Sequence, residues 1–379
     1  MTLRRVAFWA SAGLLAYAQL GYPLALAALA RARGAAEPPA DPPMPGSEPD
    51  VSVIVAAHAE EDVIAAKVAD ALALDWPRDR LEVVVACDGS PDATPARARA
   101  AGADVVLELP WGGKVRAQDA AVAAARADLL AFSDANARWE RGALRALVAR
   151  LRADGVGYVC GRVSFVGEGG TNQEGLYWRY ELWIRALESR LASVTAGNGA
   201  IYAVRRAAYV HVDPVMGHDL SFPFNVVRRG RRAVYEPAAR ATEKMVPTVE
   251  GEWRRKRRMM SHAWPIVLRG GLLDPRGVPP LYAAMLVSHR ALRYAGPFLH
   301  LQLLGATLLL ARRGGPAVRA ALVAQGALLA AAAAGGRVRA RPLLVARYYV
   351  ATQASIAAGL WDHLRHGTPA GWAPPEGTR

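Results

Sequence analysis

Short apolar runs and helical patterns alternate through the first half of this chain. Val51–Ala57 is a nearly continuous apolar run, the pattern of a strand buried on both faces. Asp62–Leu74 has helical spacing, and Leu81–Ala86 predicts a second strand. Pro95–Ala101 predicts a short helix, Val105–Leu107 a third strand, Val115–Arg126 an Ala-rich helix and Leu129–Phe132 a fourth strand. Such alternation predicts an α/β fold with a doubly wound, mainly parallel sheet. From Glu174 to Leu191 the residues Leu176, Tyr180, Trp183, Ile184, Leu187 and Leu191 follow helical spacing. A face this rich in Trp and Tyr fits a helix packed on the sheet, or one at a membrane surface.

Longer apolar segments flank this stretch. Val6 to Ala30 carries no charge and exceeds the roughly 20 residues that a bilayer crossing needs. The apolar core of a cleaved signal peptide is shorter, about 7–15 residues, so an uncleaved anchor is expected. Glu37 to Pro49 is rich in Pro and reads as a linker. Tyr294–Ala311 and Ala320–Gly336 are uncharged, and Leu343–Leu360 is apolar apart from Arg347; each is near the lower limit for a span. Leu281–Leu292, with His289, Arg290 and Arg293, reads as an amphipathic segment in the interface. The expected order is an anchor over 1–32, a linker over 33–50 and an α/β domain over 51–270. An interfacial segment (271–293), C-terminal transmembrane helices (294–362) and a tail (363–379) follow. Arg clusters at both ends of the spans leave orientation open by charge alone.

The formal net charge is +14 over 379 residues, most of it from Arg. Because the Arg residues flank apolar segments and form no single stripe, anionic lipid or a phosphorylated substrate is expected, and nucleic acid is not. Cys87 and Cys160 are the only cysteines, which excludes a disulfide framework and a Cys metal site. A reducing, cytosolic setting follows for the soluble part.

The chemistry gathers at strand ends. Asp88 closes the second strand and Asp134 the fourth, and the C-terminal ends of strands are where open α/β sheets bind ligands. Two carboxylates there suit a nucleotide and a divalent metal. Around them lie Ala56-Ala57-His58-Ala59-Glu60-Glu61, Cys87-Asp88-Gly89-Ser90-Pro91-Asp92-Ala93-Thr94, Gly112-Gly113-Lys114 with Gln118 and Asp119, and Asp134-Ala135-Asn136. Further on are Gly197-Asn198-Gly199-Ala200, followed by Arg205 and Arg206, then Met216-Gly217-His218-Asp219-Leu220 and Trp253-Arg254-Arg255-Lys256-Arg257-Arg258-Met259. Taken singly, several have simpler readings. Glu60 can be a carboxylate at a helix N-terminus, and Asp219 can cap its helix through Arg228. The Arg-rich run can be a basic helix on anionic lipid.

In this order the motifs resemble those of membrane-bound family 2 glycosyltransferases, the group that includes hyaluronan, cellulose and poly-N-acetylglucosamine synthases. The resemblance covers roughly Val51 to Arg269 and the flanking spans. It implies a GT-A fold, inversion at the anomeric carbon and a UDP-sugar donor. By resemblance Ala56, Ala57, Glu60, Asp88, Lys114, Asp134 and Arg258 bind the nucleotide sugar, with Asp88 on the uracil imide and Lys114 near the diphosphate. Asp92 and Thr94 would cap the next helix. Asp134 and Asn136 would hold Mg²⁺ or Mn²⁺, and Gly197, Asn198 and Gly199 would close over the acceptor. Asp219 would be the general base, and Arg258 the clamp on the departing diphosphate. Cys87 stands where the family has a first Asp. Met259 stands where processive members have Trp, and their Gln has no counterpart. The partners implied are a UDP-sugar, a lipid or glycan acceptor and the membrane, with the catalytic domain facing the cytoplasm of a bacterial-type inner membrane. A polysaccharide or glycoconjugate product is expected. Single transfer to a lipid, such as a polyprenyl phosphate or ceramide-like acceptor, and an inactive membrane scaffold are the alternatives.

Overall fold

A computed structural model describes residues 2–34, 40, 42–166, 173–244, 249–312, 314–338 and 340–371. Positions 35–39 and 41 of the expected linker and 372–379 of the expected tail lie outside these residues, as does the Leu176 side chain.

Helix α1 (Leu3–Ala16) passes through a π-helical turn (Tyr17–Gly21) into α2 (Tyr22–Ala32). The next elements are β1 (Val51–Ala57), α3 (Ile64–Leu72), β2 (Leu81–Asp88), α4 (Thr94–Ala100), β3 (Val105–Leu109), α5 (Lys114–Ala124) and β4 (Leu129–Asp134). After them come β5 (Arg138–Trp139), α6 (Ala143–Leu151), β6 (Val156–Val166), α7 (Gln173–Leu191), β7 (Tyr202–Arg205), α8 (His218–Arg228) and β8 (Arg232–Lys244). The chain ends in α9 (Val249–Leu268), α10 (Pro280–Met285), a second π-helical turn (Leu286–Ala291), α11 (Leu292–Leu310), α12 (Pro316–Ala334) and α13 (Arg341–His366).

One sheet holds all these strands in the order β3-β2-β1-β4-β7-β6-β8-β5. Every residue of β1 and β2 is buried, as their apolar runs require for central strands covered on both faces. The polar exceptions pair with each other. Ser52 Oγ donates to Glu82 Oε2 at 2.5 Å, and the same carboxylate oxygen accepts the Arg126 N–H at 2.8 Å, pinning the entry to β4. The first four sheet positions are parallel, as expected. Beyond β4 the sheet is mixed: β7 pairs antiparallel with β4 and β6, and β5 antiparallel with β8. β5 and β7 are too short for a periodic signal, so the antiparallel half is not visible in the pattern.

Helix α7 packs one side on the sheet and leaves part of its aromatic face outside it. Ile184 and Leu187 are buried against the sheet in a core that includes Phe132, Tyr158 and Tyr202. Trp183 is exposed, and Tyr180 Oη donates to the Gln19 carbonyl of the N-terminal helix at 2.7 Å. The segment expected to lie amphipathic in the interface is different. His289 and Arg290 are 7 % and 6 % exposed, and the second π-helical turn joins α10 to α11 without a break. A buried carboxylate, Glu188, draws these polar side chains inward.

Among the described residues, Leu3–Ala32 and Pro316–Ala334 are the helices long and apolar enough to cross a membrane. α11 and α13 do not reach that standard, although the apolar stretches within them pointed to spans.

Candidate active site

At the end of β2, Asp88 is 1 % exposed and its carboxylate accepts the N–H groups of Gly112 (2.7 Å) and Gly113 (2.9 Å). It therefore shapes the loop before α5 and hands Lys114 to the mouth of the sheet. Gly113 has φ +100°, a conformation that favours glycine, and the space beside it is filled by the Ala370 carbonyl from the segment after α13. His58 Nδ1 lies 2.6 Å from the Asp88 carbonyl oxygen. Asp92 and Thr94 tie two turns together. Thr94 Oγ1 accepts the Glu60 N–H at 2.8 Å, and Asp92 accepts the N–H groups of Glu61 and Thr94, both at 3.1 Å. Thr94 is the first residue of α4, so it links the post-β1 turn to this helix and does not cap it from outside. Glu60 is 3 % exposed at that junction. Ala56 and Ala57 sit inside the sheet, with Ala56 in register with Asp134.

At the end of β4, the Lys114 ammonium forms an ion pair with Asp134 Oδ1. Burial disfavours the Lys114 cation, but Asp134, with Asp219 and Glu243 adding to it, outweighs this and raises its pKa. The Asp134-Ala135-Asn136 turn is supported from below: Lys67 Nζ donates to the Ala137 carbonyl at 2.8 Å and lies over the Trp139 ring. Burial lowers Lys67 to about 7. Glu243, on β8 one residue past the β5 register, is raised to about 7, by burial first and by repulsion from Asp134 second. Asn136 is partly exposed two positions after Asp134.

The Gly197–Gly199 loop crosses this group. A side chain at Gly199 would meet Lys114 Nζ at 3.1 Å and Asp134 Oδ2 at 3.4 Å. Asn198 donates to the Gly161 carbonyl at 2.8 Å and accepts the Ile201 N–H at 2.9 Å, so it holds the loop's shape. The Gly197 N–H donates to the backbone carbonyl of Asp219 at 2.7 Å. Asp219 lies in the first turn of α8, and among the described residues its Oδ1 accepts its neighbour's N–H, Leu220, at 3.0 Å. Arg228 does not restrain it; that guanidinium donates to the carbonyls of Gly271 and Asp274, at 2.5 and 2.7 Å. On α9, burial, with the Arg255 charge adding to it, lowers the Arg258 pKa. His262, one turn on, feels both Arg258 and Asp219, which places that basic face beside the acid. Arg255 is bound to Glu252 and Arg257 to Asp362. Arg206 donates to the Val122, Ala125 and Ala127 carbonyls, so it buttresses the sheet away from the Gly197–Gly199 loop.

The site thus gathers Lys114, Asp134, Gly199, Asp219 and Glu243 at the C-terminal end of β4, with Arg258 on the adjoining helix. Lys67 and Glu243 belong to no motif and were missed. A lone Lys within the apolar pattern of α3 was the available signal for the first. Nothing local marks the second, because its neighbour Asp134 is distant in sequence.

Two expectations arise here. An added methyl at Gly197 would lie 1.8 Å from Tyr158 Oη. Gly197→Ala should therefore displace the loop and cost about 100-fold in rate, and adding Tyr158→Phe should recover part of it. Equal activity of the single and double variants would contradict this contact. The second concerns His218, whose pKa burial drives down from 6.5 to about 3, with Lys114 adding to the effect. The folded value lies below the unfolded one. The neutral ring's stability is therefore complete above 6.5 and lost as pH falls toward 3. His218→Phe, which keeps a ring among Phe132, Tyr202 and Phe222, should flatten that acid limb by up to about 1.4 kcal/mol per pH unit in thermal unfolding. An unchanged slope would rule His218 out as its source.

Residues 52–212 match the family described as Glycosyl transferase family 2. Among solved structures, the mannosyltransferase PcManGT from Pyrobaculum calidifontis, in complex with GDP-Man and Mn²⁺, is 26 % identical with a TM-score of 0.70, over 94 % of this chain and 99 % of that one. Mannosyl-3-phosphoglycerate synthase from Rubrobacter xylanophilus is 18 % identical with a TM-score of 0.42, over 65 % of this chain and 77 % of that one. Glucosyl-3-phosphoglycerate synthase from Mycobacterium tuberculosis, in complex with Mn²⁺, UDP and glucosyl-3-phosphoglycerate, is 21 % identical with a TM-score of 0.41, over 61 % and 81 %. No curated protein matches. Residues 52–212 thus match a glycosyl transferase family 2 domain, and the chain is a glycosyltransferase.

Proposed function

We propose that this chain is a membrane-embedded, inverting glycosyltransferase that moves a sugar from a nucleotide-sugar donor to a hydroxyl on a lipid or glycan acceptor. The observation that carries this reading is the convergence of the Lys114–Asp134 pair, Gly199 and the backbone-fixed Asp219 at the C-terminal end of β4. Asp219 takes the acceptor proton as the hydroxyl attacks the anomeric carbon, in a single displacement. Lys114 and Arg258 meet the charge that grows on the departing nucleoside diphosphate.

A hard divalent cation fits the donor set. Mg²⁺ or Mn²⁺ binds through few protein oxygens and keeps phosphate oxygens in its shell. Among the described residues no three His, Cys, Asp or Glu side chains form a metal cage. Asp134 and Asn136 would hold the ion. Repulsion from Asp134 adds to the effect of burial in raising the Glu243 pKa, and a cation at Asp134 would relieve that part of it. When bound, the ion would neutralise charge on the leaving diphosphate.

Membrane embedding is supported by α12, of which only 6 % of the apolar window is buried, and by outward-facing Leu301, Leu308, Leu309, Val323 and Leu329. A cytoplasmic catalytic domain agrees with the two free cysteines.

The donor reading from motifs is a UDP-sugar. Because both Asp88 oxygens already accept loop N–H groups, and the Pyrobaculum enzyme was solved with GDP-Man, the test must include both bases. Nucleoside diphosphate release from UDP- and GDP-sugars by membrane extract, followed by mass analysis of the product, decides it. No release with any donor would favour an inactive scaffold. Single transfer to a lipid is favoured over processive polymerisation by one observation: Met259, where processive members have Trp, is exposed.

Arg258→Lys should lower activity about tenfold or more, since an ammonium cannot make a forked contact to phosphate. Arg254→Lys and Arg255→Lys provide the comparison. Similar small losses at all three would assign the cluster to anionic lipid.

A further inference from the structure

We propose that Glu188 is a positioning residue for the transfer reaction, and that it makes the N-terminal helix part of the catalytic scaffold. This rests on Asp219 as the base.

Glu188 and Thr195 are both 0 % exposed. Three separate elements converge on this one carboxylate. From α2, Tyr22 Oη donates to Glu188 Oε1 at 2.6 Å. From the second π-helical turn, His289 Nδ1 lies 2.7 Å from the same oxygen. From the loop after α7, the Thr195 N–H donates to Oε2 at 3.1 Å and the Thr195 hydroxyl at 2.9 Å. Arg290 Nε then donates to Thr195 Oγ1 at 2.8 Å, and Tyr282 Oη to the Val194 carbonyl at 2.9 Å. The start of the acceptor loop is thereby held by groups from both ends of the chain.

Two residues beyond Thr195, the same loop meets the active site. Gly197 N–H donates to the Asp219 carbonyl, and Arg185, on the helix that carries Glu188, donates to the Gly197 carbonyl at 3.1 Å. Two residues further, Gly199 packs on Lys114 and Asp134. A shift at Thr195 must therefore appear at Gly197 and Gly199. These set where Asp219 and the Lys114–Asp134 pair stand relative to each other. Here the donors come from the α2 helix, the π-helical turn and the loop itself, and the loop leads to the reacting groups.

Among the described residues the network makes no direct hydrogen bond to the Lys114–Asp134 pair, so its loss should act on turnover and not on donor binding. Tyr22→Phe removes a single hydroxyl about a helix away from the chemistry. It should lower kcat by about 10- to 100-fold, because small displacements of catalytic groups cost rate steeply. Glu188→Gln should do the same, while Glu188→Asp should recover part of the loss through its retained carboxylate. Donor KM and the calorimetric affinity for nucleoside diphosphate should stay within about twofold, as uniform binding is untouched. The full-length protein in detergent or nanodiscs is used throughout, with thermal unfolding recorded for each variant.

The decisive measurement adds Tyr22→Phe to Asp219→Asn. If the network acts by placing Asp219, the second change should cost little once the base is gone. Fully additive losses, near-normal kcat in both Tyr22→Phe and Glu188→Gln, or a parallel fall in kcat, nucleotide affinity and unfolding temperature would each overturn the proposal. Near-normal kcat in Asp219→Asn alone would instead overturn the assignment of the base.

Discussion

Asp219→Asn should lower kcat by about 100- to 10,000-fold while leaving nucleotide affinity nearly unchanged. The change keeps the side chain's shape and removes only its capacity to take a proton. Its surroundings make the result interpretable. The backbone carbonyl, not the carboxylate, receives the loop's Gly197 N–H. The carboxylate accepts the Leu220 N–H at 3.0 Å, which the amide oxygen of Asn can also accept. Arg228 is engaged elsewhere, so no ion pair is broken. The helix start and the loop should therefore survive. Product formation is followed with a saturating donor, and nucleoside diphosphate binding by calorimetry. Turnover close to that of the unaltered enzyme would remove Asp219 from the role of base.

Asp134→Ala carries the second large effect. It should weaken metal-dependent binding of nucleoside diphosphate by at least about tenfold, and more than Asn136→Ala does, since a carboxylate brings net charge to a cation and an amide only a dipole. The structure adds a second consequence. Lys114 depends on Asp134 for its raised pKa, so the variant leaves a partly enclosed ammonium without its first partner. Without divalent ion, the freed Lys114 should bind the diphosphate no worse than before. The loss should therefore show only when Mg²⁺ or Mn²⁺ is present. Glu243 should also respond, because repulsion from Asp134 contributes to its upward shift. Titrations with and without the ion separate these effects. Equal losses in Asp134→Ala and Asn136→Ala, or equal losses with and without metal, would contradict the assignment.

The sequence, through local pattern, determined β1 to β4 with their crossover helices, because a buried parallel strand must be apolar throughout and a crossover helix must show its period. It likewise determined which carboxylates end those strands, and it marked the loops of Gly112–Lys114 and Gly197–Gly199. It also exposed the long uncharged segments at both ends. What it could not determine follows from range. The antiparallel half of the sheet rests on strands as short as Arg138–Trp139, whose partner lies about a hundred residues away in β8. The Asp88 carboxylate holds Gly112 and Gly113, a partnership visible only once the loop folds back on β2. The polar residues of Leu281–Leu292 pointed to an interfacial helix by their spacing. They are buried because Glu188, from a distant helix, supplies a partner for His289 and, through Thr195, for Arg290. Periodicity reports the average environment of a face, whereas a buried charge is stable only beside a specific partner. Which partners meet was decided by the tertiary structure alone, and so were Lys67 beneath the Asp134 turn, Glu243 beside it and Glu188 behind the acceptor loop.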